Sequence, residues 1–233
     1  PSGIRKFFDI AAEMDDVLSL SVGEPDFVTP EHIRNAGIKS ILDGKTAYTA
    51  NYGLIELRRG ISEYLEKRFD LSYHPEKEVL VTVGGSEAID LAMRVLLDAG
   101  DEVIYPEPCF VSYLPCIALA DGVPVPVRLR EEDQFRLTPE LLESVITPKT
   151  KVLLISYPNN PTGRILHKDE ADILEAFMLR HPDVYMLSDE VYEKLVYDGA
   201  KSISMGSYPS IRDRVATMNG FSKSVAMTGW RIG

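Results

Sequence analysis

From residue 79 onward, the sequence alternates short runs of apolar residues with segments of helical periodicity. The runs are continuous rather than alternating with polar residues, which is typical of strands buried on both faces of a sheet. They fall at residues 79–83, 103–105, 123–127, 152–156, 184–188 and 215–218. Such strands, separated by helices, predict an α/β protein with three layers, α/β/α, around a mostly parallel sheet. Two prolines restrict the run at 123–127 to a sheet edge or a short span.

Helices are predicted between these runs and before them. One would begin after Thr29 and Pro30, because threonine caps helix N-termini and proline is tolerated at the first helical position. Its buried side would consist of Ile33, Ala36, Ile41 and Leu42. Further helices are expected after residue 54, after the turn at 84–88, after Thr138 and over residues 168–180. The third of these five helices would bury Ala88, Leu91, Ala92, Val95 and Leu96. An amphipathic stretch at 4–14 and an apolar run at 17–20 precede them all.

Composition narrows the class of protein and its partners. A chain of 233 residues is long enough for one large domain or two small ones. Its net charge of −11 argues against a nucleic-acid surface, which needs a basic patch. No apolar run reaches the length of a membrane span, and the first residues lack the apolar core of a signal peptide. Cys109 and Cys116 have no metal-ligand spacing, so we expect free thiols and a cytoplasmic location.

The last fifteen residues carry the strongest chemical signal. Lys223 lies in a Gly/Ser-rich turn just past the predicted strand at 215–218, and Arg231 follows eight residues later. A lysine can form an imine with an aldehyde, and an arginine can hold an anion with two hydrogen bonds. Pyridoxal phosphate carries both an aldehyde and a phosphate. Since most loop lysines are simply solvated, the pair needs support from the rest of the chain.

Two other predicted strand ends offer complementary groups. Gly84, Gly85 and Ser86 follow the run at 79–83 and open a helix, so their backbone N–H groups could bind phosphate. Phe110 follows the run at 103–105, and its ring could stack on a planar heterocycle. Taken singly, these features are more often a tight strand-to-helix turn and a core aromatic residue.

Polar residues follow the next two runs. Asn160 lies between two prolines after the run at 152–156, where an ordinary Asn-Pro turn is the alternative interpretation. Asp189 immediately follows the run at 184–188, and a carboxylate at a buried strand end needs a cationic partner such as a protonated pyridine nitrogen. A helix cap or a structural salt bridge would also account for Asp189. Tyr192 is near enough to reach the same site. Ligands of parallel sheets bind beyond the carboxyl ends of the strands, so these residues are expected to converge.

The chain as a whole resembles the class I/II aminotransferases among the fold-type I pyridoxal-phosphate enzymes. Within them it is similar to the aspartate/aromatic branch. The matching stretches cover nearly the whole chain and occur in the family's order. They are residues 23–27, Tyr48 with Gly53 and Leu57-Arg58, residues 84–88, 157–163, 188–192, 221–224 and 229–233.

The resemblance implies roles for individual residues. Lys223 would bond the cofactor as an imine and then act as the proton-shuttling base, with Asp189 and Tyr192 completing the catalytic set. Asp189 would keep the pyridine nitrogen protonated, while Asn160 and Tyr192 would hydrogen-bond the phenolate oxygen. Phe110 would stack on the ring, although tyrosine or tryptophan is frequent in the family. The phosphate would be held by Gly85, Ser86, Glu87, Ser222 and Arg231.

The resemblance also implies substrate contacts and an assembly. Gly23, together with Asn160, would lie near the substrate, and Tyr48 would reach the phosphate of the other subunit of a homodimer. Residues 1–20 would belong to an N-terminal arm or small domain, and residues 21–233 to the cofactor-binding large domain. The family's C-terminal small domain, which carries its substrate-carboxylate arginine, would be absent. We therefore expect a large-domain fold that is incomplete at its C-terminal end.

Three functions remain open at the level of sequence. The first is an aminotransferase that moves an amino group from an amino acid to a 2-oxo acid. The second is another reaction on the same scaffold, such as a carbon–sulfur β-lyase, which the residues around Lys223 do not distinguish from transamination. The third is a cofactor-binding sensor domain of a transcription regulator, which would need a DNA-binding segment.

Overall fold

The computed structural model describes residues 10, 13, 14 and 23–233. The predicted apolar run at 17–20 lies outside these residues. So do the proposed domain boundary at residue 20 and all but three residues of the amphipathic stretch at 4–14. The fold below is that of residues 23–233.

A parallel sheet of five strands forms the centre of the fold. The strands are β1 (Glu102–Glu107), β2 (Val123–Arg128), β3 (Thr150–Ser156), β4 (Tyr185–Asp189) and β5 (Val215–Met218). Their order in the sheet is β2-β1-β3-β4-β5, and every neighbouring pair is parallel. This confirms the predicted fold class and five of the six predicted strands.

Residues 123–127 form a strand at an edge of the described sheet, which is one of the two outcomes, an edge or a short span, that their prolines predict. Among the described strands β2 pairs with β1 alone, and on that side Val123 and Leu129 donate 2.8 Å backbone hydrogen bonds to the carbonyls of Asp101 and Glu107. Pro124 and Pro126 lie between Val123 and Leu129 at alternate positions. Because successive N–H groups of a strand point to opposite sides, both prolines fall where the N–H would face away from β1.

Seven α-helices connect or flank the strands in the described chain. They are α1 (Glu31–Leu42), α2 (Ile55–Phe69), α3 (Gly85–Leu96), α4 (Tyr113–Leu119), α5 (Pro139–Glu143), α6 (Lys168–Arg180) and α7 (Phe221–Ser224). Short 3-10 turns occur at Met205–Ser207, Arg212–Arg214 and Thr228–Trp230. The helix predicted over residues 168–180 has those bounds, and Thr138 caps α5 through a hydrogen bond from the Leu141 N–H.

Alternate strand residues build two separate apolar cores, one on each face of the sheet. On one face, Ile104, Leu153 and Met186 pack with buried residues of α5 and α6. On the other face, Val103 and Leu154 pack with buried residues of α3 and α4. Continuous apolar runs are required because both faces are covered. The predicted three layers follow from this arrangement.

The predicted buried strand at residues 79–83 does not form. Thr82 exchanges two backbone hydrogen bonds with Gly233, at 2.7 and 3.0 Å, as an antiparallel pair would. A single pair is not a ladder, and Leu80 and Val83 remain exposed. Apolar residues alone therefore did not suffice, because a strand also needs a run of backbone partners.

The predicted buried side of the first helix is wrong for the described chain. α1 has no buried residue, and Ile41 and Leu42 are largely exposed. α1 makes a close contact at Gly37, where the helix backbone lies against the ring of Trp230. Thr29 does not cap α1 either, because its hydroxyl donates a 2.6 Å hydrogen bond to the Ala226 carbonyl.

The buried side of α3 also differs from the prediction. Ile89 and Met93 are its buried residues, whereas Val95 is exposed. The predicted set instead lines a cavity of about 660 Å³ between α2, α3 and β5. The helix thus has two apolar faces, and only one of them is covered by described residues. No helix in the described part of the chain is both long and apolar enough to cross a membrane.

Candidate active site

The carboxyl ends of the strands bring most of the predicted site residues to one edge of the sheet. β3 ends at Ser156, opposite Asp189 at the end of β4, which is in turn opposite Met218 at the end of β5. Backbone hydrogen bonds from Tyr157 to the Asp189 carbonyl and from Glu190 to the Met218 carbonyl continue this pairing past the strands. The loops that carry the polar side chains therefore start from a common, fixed line.

Asp189 is a buried carboxylate with two neutral hydrogen-bond donors. The Tyr113 hydroxyl donates to Oδ2 across 2.6 Å, and the Val191 N–H donates to Oδ1 across 3.2 Å. Burial raises the pKa of Asp189 to about 6, and the two hydrogen bonds work against that rise. A buried carboxylate without a cation in its hydrogen-bond shell can take up a cationic ligand group.

Lys223 lies in α7, and its amine is within reach of several predicted site residues. Nζ donates a hydrogen bond to the carbonyl of Gly23 and lies 5.9 Å from the centre of the Tyr192 ring. Burial lowers the pKa of Lys223; the Glu24 carboxylate opposes this and the positive charge of Arg231 adds to it. A lowered pKa increases the fraction of neutral amine, which is the nucleophilic form.

Asn160 and Tyr192 form a second contact at the same edge. The Asn160 Nδ2 donates a 3.3 Å hydrogen bond to the Tyr192 hydroxyl, although 32 residues separate them in the chain. The pKa of Tyr192 is raised, first by burial and then by the charge of Asp189. Both residues are half-buried, so their polar atoms can still reach a ligand.

Phe110 stands at the rim of the core behind β1. Its ring packs edge-on against Tyr113, with centroids 5.8 Å apart and an interplanar angle of 80°. The ring is only half-buried, which leaves part of it accessible for stacking.

The guanidinium group of Arg231 lies against the start of α3. A side chain at Gly84 would collide with Arg231 Nη2, and one at Gly233 would collide with the Gly84–Gly85 backbone. Gly84 has φ of 79°, so glycine is required there for conformation as well as for space. The free N–H groups of a 12-residue helix and a guanidinium group are thus brought together, as expected for a phosphate site.

The other residues that were predicted to contact a phosphate differ in their positions. Ser86 lies in the first turn of α3. The Glu87 carboxylate accepts a hydrogen bond from the Val83 N–H, so only its backbone N–H is free for an anion. Ser222 is half-buried beside Lys223 in α7. Tyr48 is fully exposed and is not brought to the site within this chain.

Two buried residues at the site were missed by sequence reasoning. Tyr113 carries the shortest hydrogen bond to Asp189, and its only sequence signal is its position three residues after Phe110. Glu190 Oε1 accepts hydrogen bonds from Ser188, Ser204 and the Met205 N–H, whereas Oε2 has no partner among described residues. Burial raises the pKa of Glu190 to about 7.

The donor set at this edge fits pyridoxal phosphate. Asp189 is a buried carboxylate with neutral donors, Lys223 is an amine with a lowered pKa, and Arg231 adjoins a helix N-terminus. These match the cofactor's ring nitrogen, aldehyde and phosphate respectively. The 660 Å³ cavity behind β5 includes neither Asp189 nor Lys223 in its lining.

Comparison with known proteins gives one consistent result. The model of the family "Aminotransferase class I and II" matches residues 15–233. The chain is 50% identical over 233 residues to YugH of Bacillus subtilis, covering 100% of this chain and 60% of that protein. It is 45% identical to the aromatic-amino-acid aminotransferase 2 of Thermococcus litoralis, with the same two coverages.

Solved structures agree in fold. The aspartate aminotransferase of Thermus thermophilus with maleate superimposes with a TM-score of 0.94 at 40% sequence identity. The match covers 100% of this chain and 61% of that one. The chain therefore spans about 60% of the length of the relatives that it matches.

Proposed function

The chain belongs to the class I and II aminotransferase family, and we propose that it is the cofactor-binding part of a pyridoxal-phosphate-dependent aminotransferase. Its reaction would transfer an amino group from an amino acid to a 2-oxo acid. The observation that carries the proposal is the placement of Lys223, Asp189 and Arg231 at one sheet edge, each matched to a different group of the cofactor. When bound, the cofactor supplies an aldehyde that condenses with amines and a ring that accepts electrons from the substrate α-carbon.

Lys223 is the proposed anchor and base. Burial lowers the pKa of its amine, so Nζ is more readily neutral than that of a surface lysine. In the neutral form Nζ would hold the cofactor through its aldehyde, and as a free amine it would accept and return a proton. Its hydrogen bond to the Gly23 carbonyl holds the amine beside the loop proposed to meet the substrate.

Asp189 is the proposed partner of the ring nitrogen. Its position at the end of a buried strand and its two hydrogen bonds hold the carboxylate plane in one orientation. Since a cation in contact with a buried carboxylate favours its ionised form, binding would keep the ring nitrogen protonated. Asn160 and Tyr192, already joined to each other, would contact the ring oxygen, and Phe110 would contact the ring face.

Phosphate binding is proposed for the start of α3. Arg231 supplies the charge, and Gly85, Ser86 and Glu87 supply backbone N–H groups at a helix N-terminus. Ser222 would add a hydroxyl. The Glu87 side chain takes no part in this proposal, because it is turned back onto the Val83 N–H.

The proposed partners are an amino acid, a 2-oxo acid and a second copy of the protein. Gly23 and Asn160 would face the substrate. Full exposure of Tyr48 supports a role outside its own chain, where its hydroxyl would reach the phosphate of the other subunit. A cytoplasmic location stays a prediction from sequence.

The test is an absorbance titration of the chain with pyridoxal phosphate, followed by borohydride reduction and peptide mass spectrometry. We expect a pH-sensitive visible band and a reduced adduct on Lys223. Lys223→Ala should lose both, whereas Lys201→Ala, which changes an exposed lysine, should keep both. Circular dichroism establishes that each variant is folded.

The chemistry is tested separately from cofactor binding. Incubation of the loaded protein with an amino acid and a 2-oxo acid should give the exchanged pair as products. Release of ammonia and pyruvate would instead identify the β-lyase. A folded chain without any adduct on Lys223 would contradict the proposal.

A further inference from the structure

Tyr113 connects two residues that are proposed to contact the cofactor. At the start of α4, its ring packs edge-on against Phe110 and its hydroxyl donates to Asp189 Oδ2 across 2.6 Å. Tyr113 is 1% exposed and Asp189 is 4% exposed, so water does not compete for this hydrogen bond. The contact joins residues 76 positions apart, from different strand ends.

We infer that Tyr113 is a positioning residue, whose hydroxyl keeps Asp189 ionised and fixes the orientation of its carboxylate toward the ring nitrogen of bound pyridoxal phosphate. This inference rests on the proposed function. The Val191 N–H holds the other oxygen, Oδ1, so the two donors together define the carboxylate plane. Each oxygen retains a lone pair for a ligand N–H.

The electrostatics of the pair support a donor role for the phenol. Burial, and then the charge of Asp189, raise the pKa of Tyr113 well above its ordinary value, so its hydroxyl keeps the proton. The pKa of Asp189 is raised by burial and lowered most effectively by the Tyr113 hydrogen bond. Among the described residues, Cys109, Glu190 and Tyr192 are close enough to interact electrostatically with one member of the pair, and burial raises the pKa of each.

Tyr105 in β1 provides a control for Tyr113. Tyr105 is 2% exposed, lies in the same apolar core and donates a 3.0 Å hydrogen bond to Glu107. Tyr113→Phe and Tyr105→Phe thus each remove one hydroxyl from one carboxylate and keep the ring, although the Tyr105 contact is only partly buried. Only Tyr113→Phe should change the titration midpoint of the Asp189 carboxyl.

The experiment follows the Asp189 carboxyl by carbon-13 NMR in the cofactor-free chain, with the resonance assigned through Asp189→Asn. Tyr113→Phe should move its titration midpoint upward by about one to two pH units, because a hydrogen bond to the charged form is lost. Tyr105→Phe should leave the midpoint unchanged. With nitrogen-15-labelled pyridoxal phosphate bound, the ring-nitrogen resonance of Tyr113→Phe should move toward the unprotonated position.

The outcomes separate the two proposals. An unchanged Asp189 midpoint in Tyr113→Phe would overturn the role of Tyr113, whatever the chain binds. A parent chain that binds no pyridoxal phosphate would instead overturn the proposed function. Should Tyr113→Phe fail to fold, 3-fluorotyrosine at position 113 replaces it: the more acidic phenol should lower the midpoint, and an unchanged midpoint would reject the role.

Discussion

The Arg231 guanidinium group packs directly on Gly84, although 147 residues separate the two in sequence. Gly84 has φ of 79° and no room for a side chain, because Arg231 occupies the space where a Cβ would lie. The start of α3 and the segment around Arg231 are therefore packed against each other, and each constrains the position of the other.

Gly84→Ala should destabilise the fold and weaken binding of pyridoxal phosphate. Alanine at positive φ costs about 1 to 2 kcal/mol. Its Cβ would also displace the Arg231 guanidinium group, the far end of a flexible side chain, which adds a smaller cost. Gly100→Ala is the control, since Gly100 also has positive φ, at 91°, but has open space around it. Urea unfolding of both variants measures the difference. Equal losses would mean that Arg231 does not constrain Gly84.

Arg231→Ala should lower the affinity for pyridoxal phosphate about ten- to one-hundred-fold, because a charge-assisted contact with the phosphate is lost. Binding of pyridoxal, which lacks the phosphate, should change little. Arg128→Ala removes an exposed arginine at the far edge of the sheet and serves as control. Titrations of the parent chain, Arg231→Ala and Arg128→Ala with both ligands measure these affinities. If Arg231→Ala weakened the binding of both ligands equally, a role of Arg231 in phosphate binding would be excluded.

Neighbouring arginines in α2 should respond very differently to substitution. Arg58 is 7% exposed and donates hydrogen bonds to the carbonyls of Gly53 and Pro75, at 3.2 and 3.0 Å. Arg58→Met leaves these carbonyls without their donor and should cost about 2 to 4 kcal/mol. Arg59 is exposed and 3.9 Å from Glu76, so Arg59→Met should cost less than about 0.5 kcal/mol. Chemical unfolding tests both values.

Glu190 should make the fold less stable as the pH rises. Burial raises its pKa from its ordinary value to about 7, so the folded chain binds this proton more tightly than the unfolded chain does. Stability from this group is complete below its unfolded pKa and is lost as the pH rises toward 7. Glu190→Gln should remove about 2 kcal/mol of the difference between pH 5 and pH 8.

Urea unfolding at both pH values measures this effect. The glutamine oxygen can keep the hydrogen bonds that Oε1 accepts from Ser188, Ser204 and Met205, so the variant should fold. Glu66→Gln, at an exposed position, is the control and should follow the parent. An unchanged pH dependence in Glu190→Gln would show that this carboxyl is ionised throughout.

The elements predicted best were those that depend on local composition. β3 and β4 were evident from the sequence because each contains a continuous apolar run, as expected of strands covered on both faces. α6 was evident because its apolar spacing matches a helix along its whole length. The same local rules placed Asp189 and Lys223 after strand ends, where the structure brings them to one edge.

Predictions that depended on a contact with a residue distant in the chain were less accurate. Residues 79–83 have the composition of a buried strand, but in the described chain their backbone pairing with distant residues is limited to Thr82 with Gly233 and one hydrogen bond from Val81 to Tyr52. Leu42 is apolar at a helical spacing, yet nothing in the described chain covers it. Tyr113 could not be paired with Asp189 beforehand, because no local pattern reports a contact across 76 residues. Hydrophobic periodicity identifies the apolar face of an element, but it does not identify the element that packs against that face.

The two prolines of β2 have a consequence beyond the protein's own chemistry. With Pro124 and Pro126 at outward positions, that margin of the sheet lacks two of the N–H donors that it would otherwise offer to an approaching chain. Another polypeptide could form only an interrupted ladder there, which disfavours strand pairing between molecules. Within the described sheet, this edge is thereby protected against aggregation by strand addition, whereas β5, at the opposite edge, contains no proline.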